Sequence, residues 1–213
     1  MIAIKALAFV FLIFGGIDAK VYAGGFVKGN GGNVIHCPKD NKILALDYYE
    51  QQVRFNLHPD QRLLSAVNFI PQIIEKIKKI STKFSQITII SAEEILDNVI
   101  FVTNSELGTI DDTYPYFIPR DCLVKQAAFQ RDRYLYIDQR IWNSLSLEQR
   151  NVLIAHEIIY RSFIKLAPIK NSEPVRVFNS LILSQEINSW SVSQIKQFLN
   201  NNNIYIADKK LKS

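Results

Sequence analysis

The sequence predicts an α+β fold in which helices pack on a small antiparallel sheet and one disulfide ties the chain together. Three observations predict it. Residues 146–166 have the apolar pattern of a long, mostly buried helix, two short β-type runs separated by QRDR precede it, and the chain contains one isolated pair of cysteines. Hydrophobic residues make up 48% of the composition, which is enough to build a single packed core.

The first 23 residues have the pattern of a signal peptide. Lys5 gives a positive start, and the apolar run ALAFVFLIFGGI that follows is too short to span a bilayer comfortably. The run ends near the small-x-small cleavage site Val21-Tyr22-Ala23. We therefore expect residues 1–23 to be removed and residues 24–213 to form one globular domain, periplasmic or secreted, with no transmembrane span. An uncleaved N-terminal anchor is the alternative.

The charge pattern limits the classes of partner. The formal net charge is +5 at pH 7, and the lysines and arginines are spread along the chain. No basic tract is interleaved with aromatic residues, so we expect no nucleic-acid partner. For an exported protein with a mild excess of positive charge, the expected partner is a cell-envelope component or a protein substrate.

Cys37 and Cys122 are the only cysteines of the sequence. In an exported protein an isolated pair typically forms one disulfide, and we expect that here. The alternative is that both thiols bind a metal beside His36, although this spacing does not match a known metal site.

The first half of the chain predicts an edge strand over residues 33–37. Residues 42–55 then fit a helix somewhat better than the alternative, a strand. Residues 59–84 have isoleucines and leucines at helical spacing with lysines on the opposite face, which we expect to be solvated. Pro71 interrupts this run, so we expect two consecutive helices.

The middle of the chain predicts alternating short elements. The run QITII at residues 86–90 is typical of a strand, Ser91 with Glu94 forms a capping box that would begin a short helix, and VIFVT at residues 99–103 indicates a second strand. Residues 104–120 then form an irregular loop, which is either a functional lid or a surface loop tethered by the cysteine pair.

The second half begins with the two β-type runs, residues 123–129 and 134–138, which we expect to form an antiparallel hairpin. The remaining expected elements are a short helix capped by Asp138, the central helix, a helix over residues 175–190, a helix opened by the capping box of Ser191 and Gln194, and a final strand over residues 204–206.

The central helix carries polar residues in an apolar surround. Ser146 followed by Gln149 is a capping-box start, and Val152, Ala155, Ile159 and Phe163 make one apolar row along the helix. The polar side chains of His156, Glu157, Tyr160 and Arg161 lie among these apolar residues. Because buried polar groups need partners, this set is either satisfied structure or a chemical site.

The same helix resembles the zincin metallopeptidase helix, whose HExxH motif supplies two zinc ligands and a glutamate general base. The resemblance implies that His156 is a metal ligand and that Glu157 activates water. Tyr160 stands at the position of the second histidine and departs from the motif, because tyrosine binds zinc well only when deprotonated. By the same analogy Glu186 would be a later metal ligand, and zinc the cofactor of a peptidase-like hydrolase with Glu157 and Tyr160 as catalytic residues.

The whole chain also resembles a group of uncharacterised exported bacterial proteins that carry an HExxYR helix and a cysteine pair. Two non-metal alternatives stay open. In the first, Glu157 pairs with Arg161, His156 donates to a carbonyl or a tyrosine, and the chain is a non-catalytic envelope binding or scaffold protein. In the second, the chain is an enzyme that uses a cleft under the loop at residues 104–120.

Overall fold

The computed structural model of the chain describes residues 32–40, 42–103, 107–108, 118–166 and 169–206. The predicted signal peptide and most of the loop at residues 104–120 lie outside them. The first elements are β1 (Asn33–Cys37), β2 (Lys42–Ala45), α1 (Leu46–Val53), α2 (Gln61–Leu64), α3 (Phe69–Ile80), α4 (Thr82–Leu96) and β3 (Val99–Val102). The later ones are β4 (Leu123–Gln126), β5 (Ala128–Arg131), β6 (Tyr134–Asp138), α5 (Gln139–Ser144), α6 (Leu147–Leu166), α7 (Glu173–Ile182), α8 (Glu186–Ser189) and α9 (Val192–Asn201).

The described strands form two small sheets. The first has the order β2-β1-β4 and is antiparallel throughout. The second has the order β3-β6-β5, with β5 and β6 forming the hairpin and β3 lying parallel to β6. The α+β prediction is therefore confirmed, with one sheet antiparallel and the other mixed.

Helix α6 lies between two apolar clusters, and this explains why so much of its circumference is apolar. The predicted row of Val152, Ala155, Ile159 and Phe163 is buried in the larger cluster, together with side chains of α3 and α7. Leu153 and Ile158 are buried in the second cluster, which α6 shares with β5, β6 and the end of α4. The long buried helix is thus confirmed as the centre of the described fold.

The disulfide joins neighbouring strands of the first sheet. Cys37 ends β1 and Cys122 comes just before β4, with a Cα–Cα distance of 4.2 Å across a sequence separation of 85 residues. This confirms the predicted pairing. The alternative prediction, that both thiols bind a metal beside His36, is wrong because the two sulfur atoms are bonded to each other. In the chain-entropy model a disulfide that closes a loop of this length stabilises the fold by about 3–5 kcal/mol.

The predicted strand at residues 86–90 is wrong, because these residues lie inside α4. The helix begins after Ser81, whose hydroxyl accepts a hydrogen bond from the Phe84 amide at 3.1 Å. Phe84, Thr88, Ala92 and Ile95 are buried at helical spacing, so packing against α6 outweighs the strand preference of the local Ile-Thr-Ile-Ile run. Ser91 is buried mid-helix, so it caps nothing.

Several other elements have bounds that differ from the predicted ones. Pro71 lies in the first turn of α3, where its missing N–H costs nothing, and the helical run is interrupted before Phe69 instead. Residues 42–55 divide into β2 and α1, and β1 is the central strand of its sheet and not an edge. The expected helix at residues 175–190 divides into α7 and α8, and residues 204–206 form no strand.

Lys76 corrects the expectation of a fully solvated lysine face. Its ammonium is buried, donating to Asp60 at 2.9 Å and to the Ser184 carbonyl at 3.4 Å. In the described part of the chain no helix combines the length and apolar composition needed to cross a bilayer.

Candidate functional site

His156 is held on one face of α6 by a buried carboxylate. Its Nδ1 lies 2.8 Å from Oδ2 of Asp47, which comes from the first turn of α1. The Asn179 side-chain amide on α7 donates to the same oxygen at 2.7 Å. His156 is 2% exposed and Asp47 is 3% exposed, so water does not screen their interaction.

The ionisation of this pair follows from its surroundings. Burial alone would raise the pKa of Asp47, but the charge and hydrogen bond of His156 hold that pKa below its ordinary value. Burial would likewise lower the pKa of His156, and the charge and hydrogen bond of Asp47 outweigh it and raise that pKa. Both shifts favour the ion pair.

Beyond this pair, α1 and α7 are joined by a row of polar contacts. One turn after Asp47, the Glu50 carboxylate lies 3.0 Å from Nε of Arg176, and both side chains are fully buried. At the next turn Arg54 forms an ion pair with Glu173 at the start of α7. Three successive turns of α1 therefore each make a polar contact with α7, and these contacts fix the register of the two helices. His156 of α6 joins the first of them, the contact between Asp47 and Asn179.

Glu157 points to the sheet side of α6 and has a different environment. One carboxylate oxygen accepts a hydrogen bond from the Gly32 amide, and the other accepts from Nε2 of Gln130 on β5 at 2.6 Å. Arg161 in turn donates from Nε to Oε1 of Gln130 at 2.8 Å. The side chain of Glu157 has no exposed surface, and burial raises its pKa, with the charge of His156 and the two hydrogen bonds offsetting part of that increase.

Gly32 is required where the chain enters β1. A Cβ at this position would lie 2.9 Å from the Glu157 carboxylate and closer still to Cδ1 of Leu153. Both neighbours are fixed inside the core, so only glycine lets the backbone amide approach the carboxylate.

Tyr160 lies beside His156 one turn along the helix. The two rings are nearly parallel, with centroids 6.3 Å apart, and Tyr160 is buried. The predicted Glu157–Arg161 ion pair is wrong, because Gln130 lies between the two groups and the guanidinium of Arg161 also faces Glu94 at 3.6 Å.

Glu186 is placed with a different histidine. Its carboxylate lies 2.7 Å from Nδ1 of His58 and accepts from the His58 backbone amide at 3.1 Å. Burial would raise the pKa of Glu186, but the His58 contacts hold it below its ordinary value. The structure thus brings His156, Glu157 and Tyr160 together on α6 and places Glu186 on His58.

The described residues do not fit a zinc ligand set around His156. Its Nδ1 is engaged by Asp47, while Nε2 is buried with no hydrogen-bond partner among them. Within the described ranges, no three His, Cys, Asp or Glu side chains are grouped closely enough to hold a metal ion. Zinc at Glu186 and His156 stays a prediction from the zincin resemblance.

Sequence reasoning missed the partners of the two α6 residues: Asp47, Asn179, Gln130 and Gly32. Asp47 is 109 positions from His156, and nothing local links them. The sequence did contain one indication: polar residues recur once per turn in both α1 and α7, and those of one helix can pair with those of the other by charge or hydrogen bond. Comparisons of the chain with protein-family models, curated proteins and solved structures found no match.

Proposed function

We propose that the chain is an exported protein that acts by binding or scaffolding in the cell envelope, and that the His-Glu pair of α6 holds its fold together. The observation that carries this proposal is the burial of the Glu157 carboxylate with a hydrogen bond on each oxygen. Both of its carboxylate oxygens accept hydrogen bonds, from Gly32 and Gln130, and its side chain has no exposed surface. A general base must come within hydrogen-bond reach of a water or substrate proton.

His156 supports the same conclusion from the other face of the helix. Its Nδ1 is committed to Asp47, and that carboxylate is itself held by Asn179. Together the two adjacent residues connect α6 to α1 and α7 on one face, and to β1 and β5 on the other. This is the arrangement of a structural crosslink in the core.

Export is supported by the signal-peptide pattern and by the disulfide between Cys37 and Cys122, since such bonds persist in oxidising compartments. N-terminal sequencing of the protein recovered from the periplasm or the medium tests this part. A mature chain that begins at residue 24 would support it, and recovery of the uncleaved chain from the cytoplasm would contradict it.

Glu157→Gln separates a structural role from a catalytic one. The glutamine amide would face a donor, either the Gly32 N–H or Nε2 of Gln130, and Gln130 cannot reverse because its Oε1 holds Arg161. We expect a loss of about 1–3 kcal/mol in the free energy of unfolding, measured by urea denaturation.

Glu93→Gln is the matched control, because Glu93 is an exposed residue of α4. It should leave the unfolding free energy unchanged. The zinc-dependent hydrolase predicts the reverse for Glu157→Gln: unchanged stability together with loss of a metal-dependent peptide hydrolysis that the wild-type protein shows. That result would overturn the proposal.

A further inference from the structure

A cleft of about 680 Å³ opens beside the first sheet, away from His156 and Glu157. Its walls are β2, the outer side of α1, and the junction between α5 and α6. The walls bring together neutral hydrogen-bonding groups of several kinds: the phenols of Tyr48 and Tyr49, the amides of Gln52 and Gln149, and the hydroxyls of Ser144 and Ser146. A pocket in which such groups converge is suited to a polar ligand.

Several of these groups are held in fixed positions. Gln149 accepts a hydrogen bond from the Ala45 amide at 2.7 Å, and the Tyr48 hydroxyl accepts one from Gln61 at 3.0 Å. Gln52 is tied to the Tyr48 carbonyl at 3.0 Å. The positions of these groups are therefore set before a ligand arrives, which lowers the entropic cost of binding.

The edge of β2 argues against an extended peptide in this cleft. Alternation along the strand places the backbone groups of Ile43 on the same outward side as those of Ala45. The Ala45 amide is already occupied by Gln149, and β2 has only four residues. An added peptide strand would find only Ile43 with both backbone groups available, which is too little for pairing along an edge.

Charge specifies the ligand further. Lys42, an exposed residue of β2, is the only lining side chain of the described cleft that is charged at neutral pH, and no carboxylate lines it. Glu148 bonds to Ser146 at the rim and lies outside the lining residues. A single ammonium among amides, phenols and hydroxyls is complementary to a ligand with many hydroxyl groups and a carboxylate.

We propose that this cleft binds an acidic saccharide, with the sugar hydroxyls on the amide and hydroxyl groups, the sugar ring against a tyrosine face, and the carboxylate on Lys42. The inference rests on the proposed binding function and names its ligand class. A tyrosine supplies a flat apolar face and a polar tip, which suits a sugar ring better than an aliphatic wall would.

Titration calorimetry of the mature, disulfide-bonded chain with trigalacturonic acid tests the proposal, with the methyl ester of the same trimer as the uncharged ligand. We expect the acid to bind about fivefold more tightly than the ester at low salt, as expected for one exposed charge pair, and the difference to disappear at high salt. Lys42→Gln should remove the difference and Lys42→Arg should retain it. Lys79→Gln, at an exposed position of α3, is the matched control and should change nothing.

Gln52→Ala should weaken the acid and the ester alike, because it removes a neutral hydrogen-bonding group. Equal binding of acid and ester, no binding of either, or an unchanged preference in Lys42→Gln would overturn the acidic-saccharide assignment. Capture of an extended neutral peptide in the cleft would also overturn it while leaving the binding function intact. A metal-dependent hydrolase, which would overturn the proposed function, would appear separately, as unchanged stability and lost hydrolysis in Glu157→Gln.

Discussion

The two faces of α6 hold adjacent polar residues by different means. His156 faces the helices and is held by an opposite charge on Asp47, whereas Glu157 faces the sheets and is held by the neutral donors of Gly32 and Gln130. The first arrangement depends on the protonation of two groups. The second depends on close approach, because an added Cβ at residue 32 would separate the amide from the carboxylate.

The difference shows how one helix can join two unlike halves of a core. On the helix face the contact with α1 is a hydrogen-bonded ion pair, so it combines a short 2.8 Å contact with the attraction of opposite charges. On the sheet face the start of β1 is held through a backbone amide, which reaches the Glu157 carboxylate only because residue 32 has no Cβ. We expect the two faces to respond differently to charge removal, to added volume and to pH.

The largest effect is expected on the His156 face. Asp47→Asn removes the counter-charge and leaves a buried imidazole beside Arg176, so we expect a loss of about 3–5 kcal/mol in the free energy of unfolding. Urea denaturation near pH 6 measures it. Asp40→Asn, at an exposed position, is the control. A loss no larger than that of an exposed pair, below about 1 kcal/mol, would show that charge does not hold this face.

On the Glu157 face the sharper change is added volume. Gly32→Ala forces Leu153 and the Glu157 carboxylate apart from the new methyl group, and we expect a loss of about 1–3 kcal/mol. Gly108→Ala provides a matched control, because a Cβ there would meet nothing within 4 Å. If thermal unfolding gives the same midpoint for both variants, the close approach at Gly32 does not stabilise the fold.

The smallest effect is a gradient of stability with pH. His156 has a raised pKa in the folded state, so its contribution is fully present below its ordinary value of 6.5 and is lost as pH rises through the folded value. The pKa of Glu157 is also raised, so the fold loses stability as pH rises above 4.5. Asp47 acts in the opposite sense, because its pKa is lowered and its contribution is lost below pH 3.8.

We therefore expect wild-type stability to be highest between about pH 3.8 and 4.5 and to fall as pH rises, beginning with Glu157 above 4.5 and adding His156 above 6.5. In Asp47→Asn burial, the largest cause, lowers the pKa of His156 together with Arg176 and against the charge of Glu157, so its contribution should reverse and favour the fold as pH rises towards 6.5. Denaturation midpoints at a series of pH values measure both slopes. If stability changes with pH in the same way in wild type and in Asp47→Asn, the pH dependence does not come from the pair of Asp47 and His156.

Local signals predicted part of this architecture. The capping box of Ser191 and Gln194 begins α9, and Asp138 accepts hydrogen bonds from the first amides of α5, as the sequence indicates. The apolar row of α6 is buried, and the cysteines are paired. These features depend on residues close in sequence, or on composition alone.

Features that depend on contacts between distant residues could not be predicted from local sequence patterns. The Ile-rich run at residues 86–90 reads as a strand in isolation, and only the burial of α4 against α6 makes it helical. Asp47 and Gly32 are 109 and 125 positions from the α6 residues that they contact, and Gln130 comes from a strand 27 positions before Glu157. The HExxY pattern located the polar centre of the fold, and the contacts of that centre required the three-dimensional structure.

The carboxamide of Gln130 is held at both ends, by Glu157 on its nitrogen and by Arg161 on its oxygen. Exchanging the two atoms would set donor against donor at Arg161, so rotation about the terminal bond is blocked. The same nitrogen donates to the carbonyl and to the carboxylate of Glu157, so its two amide protons should exchange with solvent more slowly than those of an exposed glutamine, as measured by NMR. The exchange rate of these protons therefore reports whether the contact between β5 and α6 is kept in a variant.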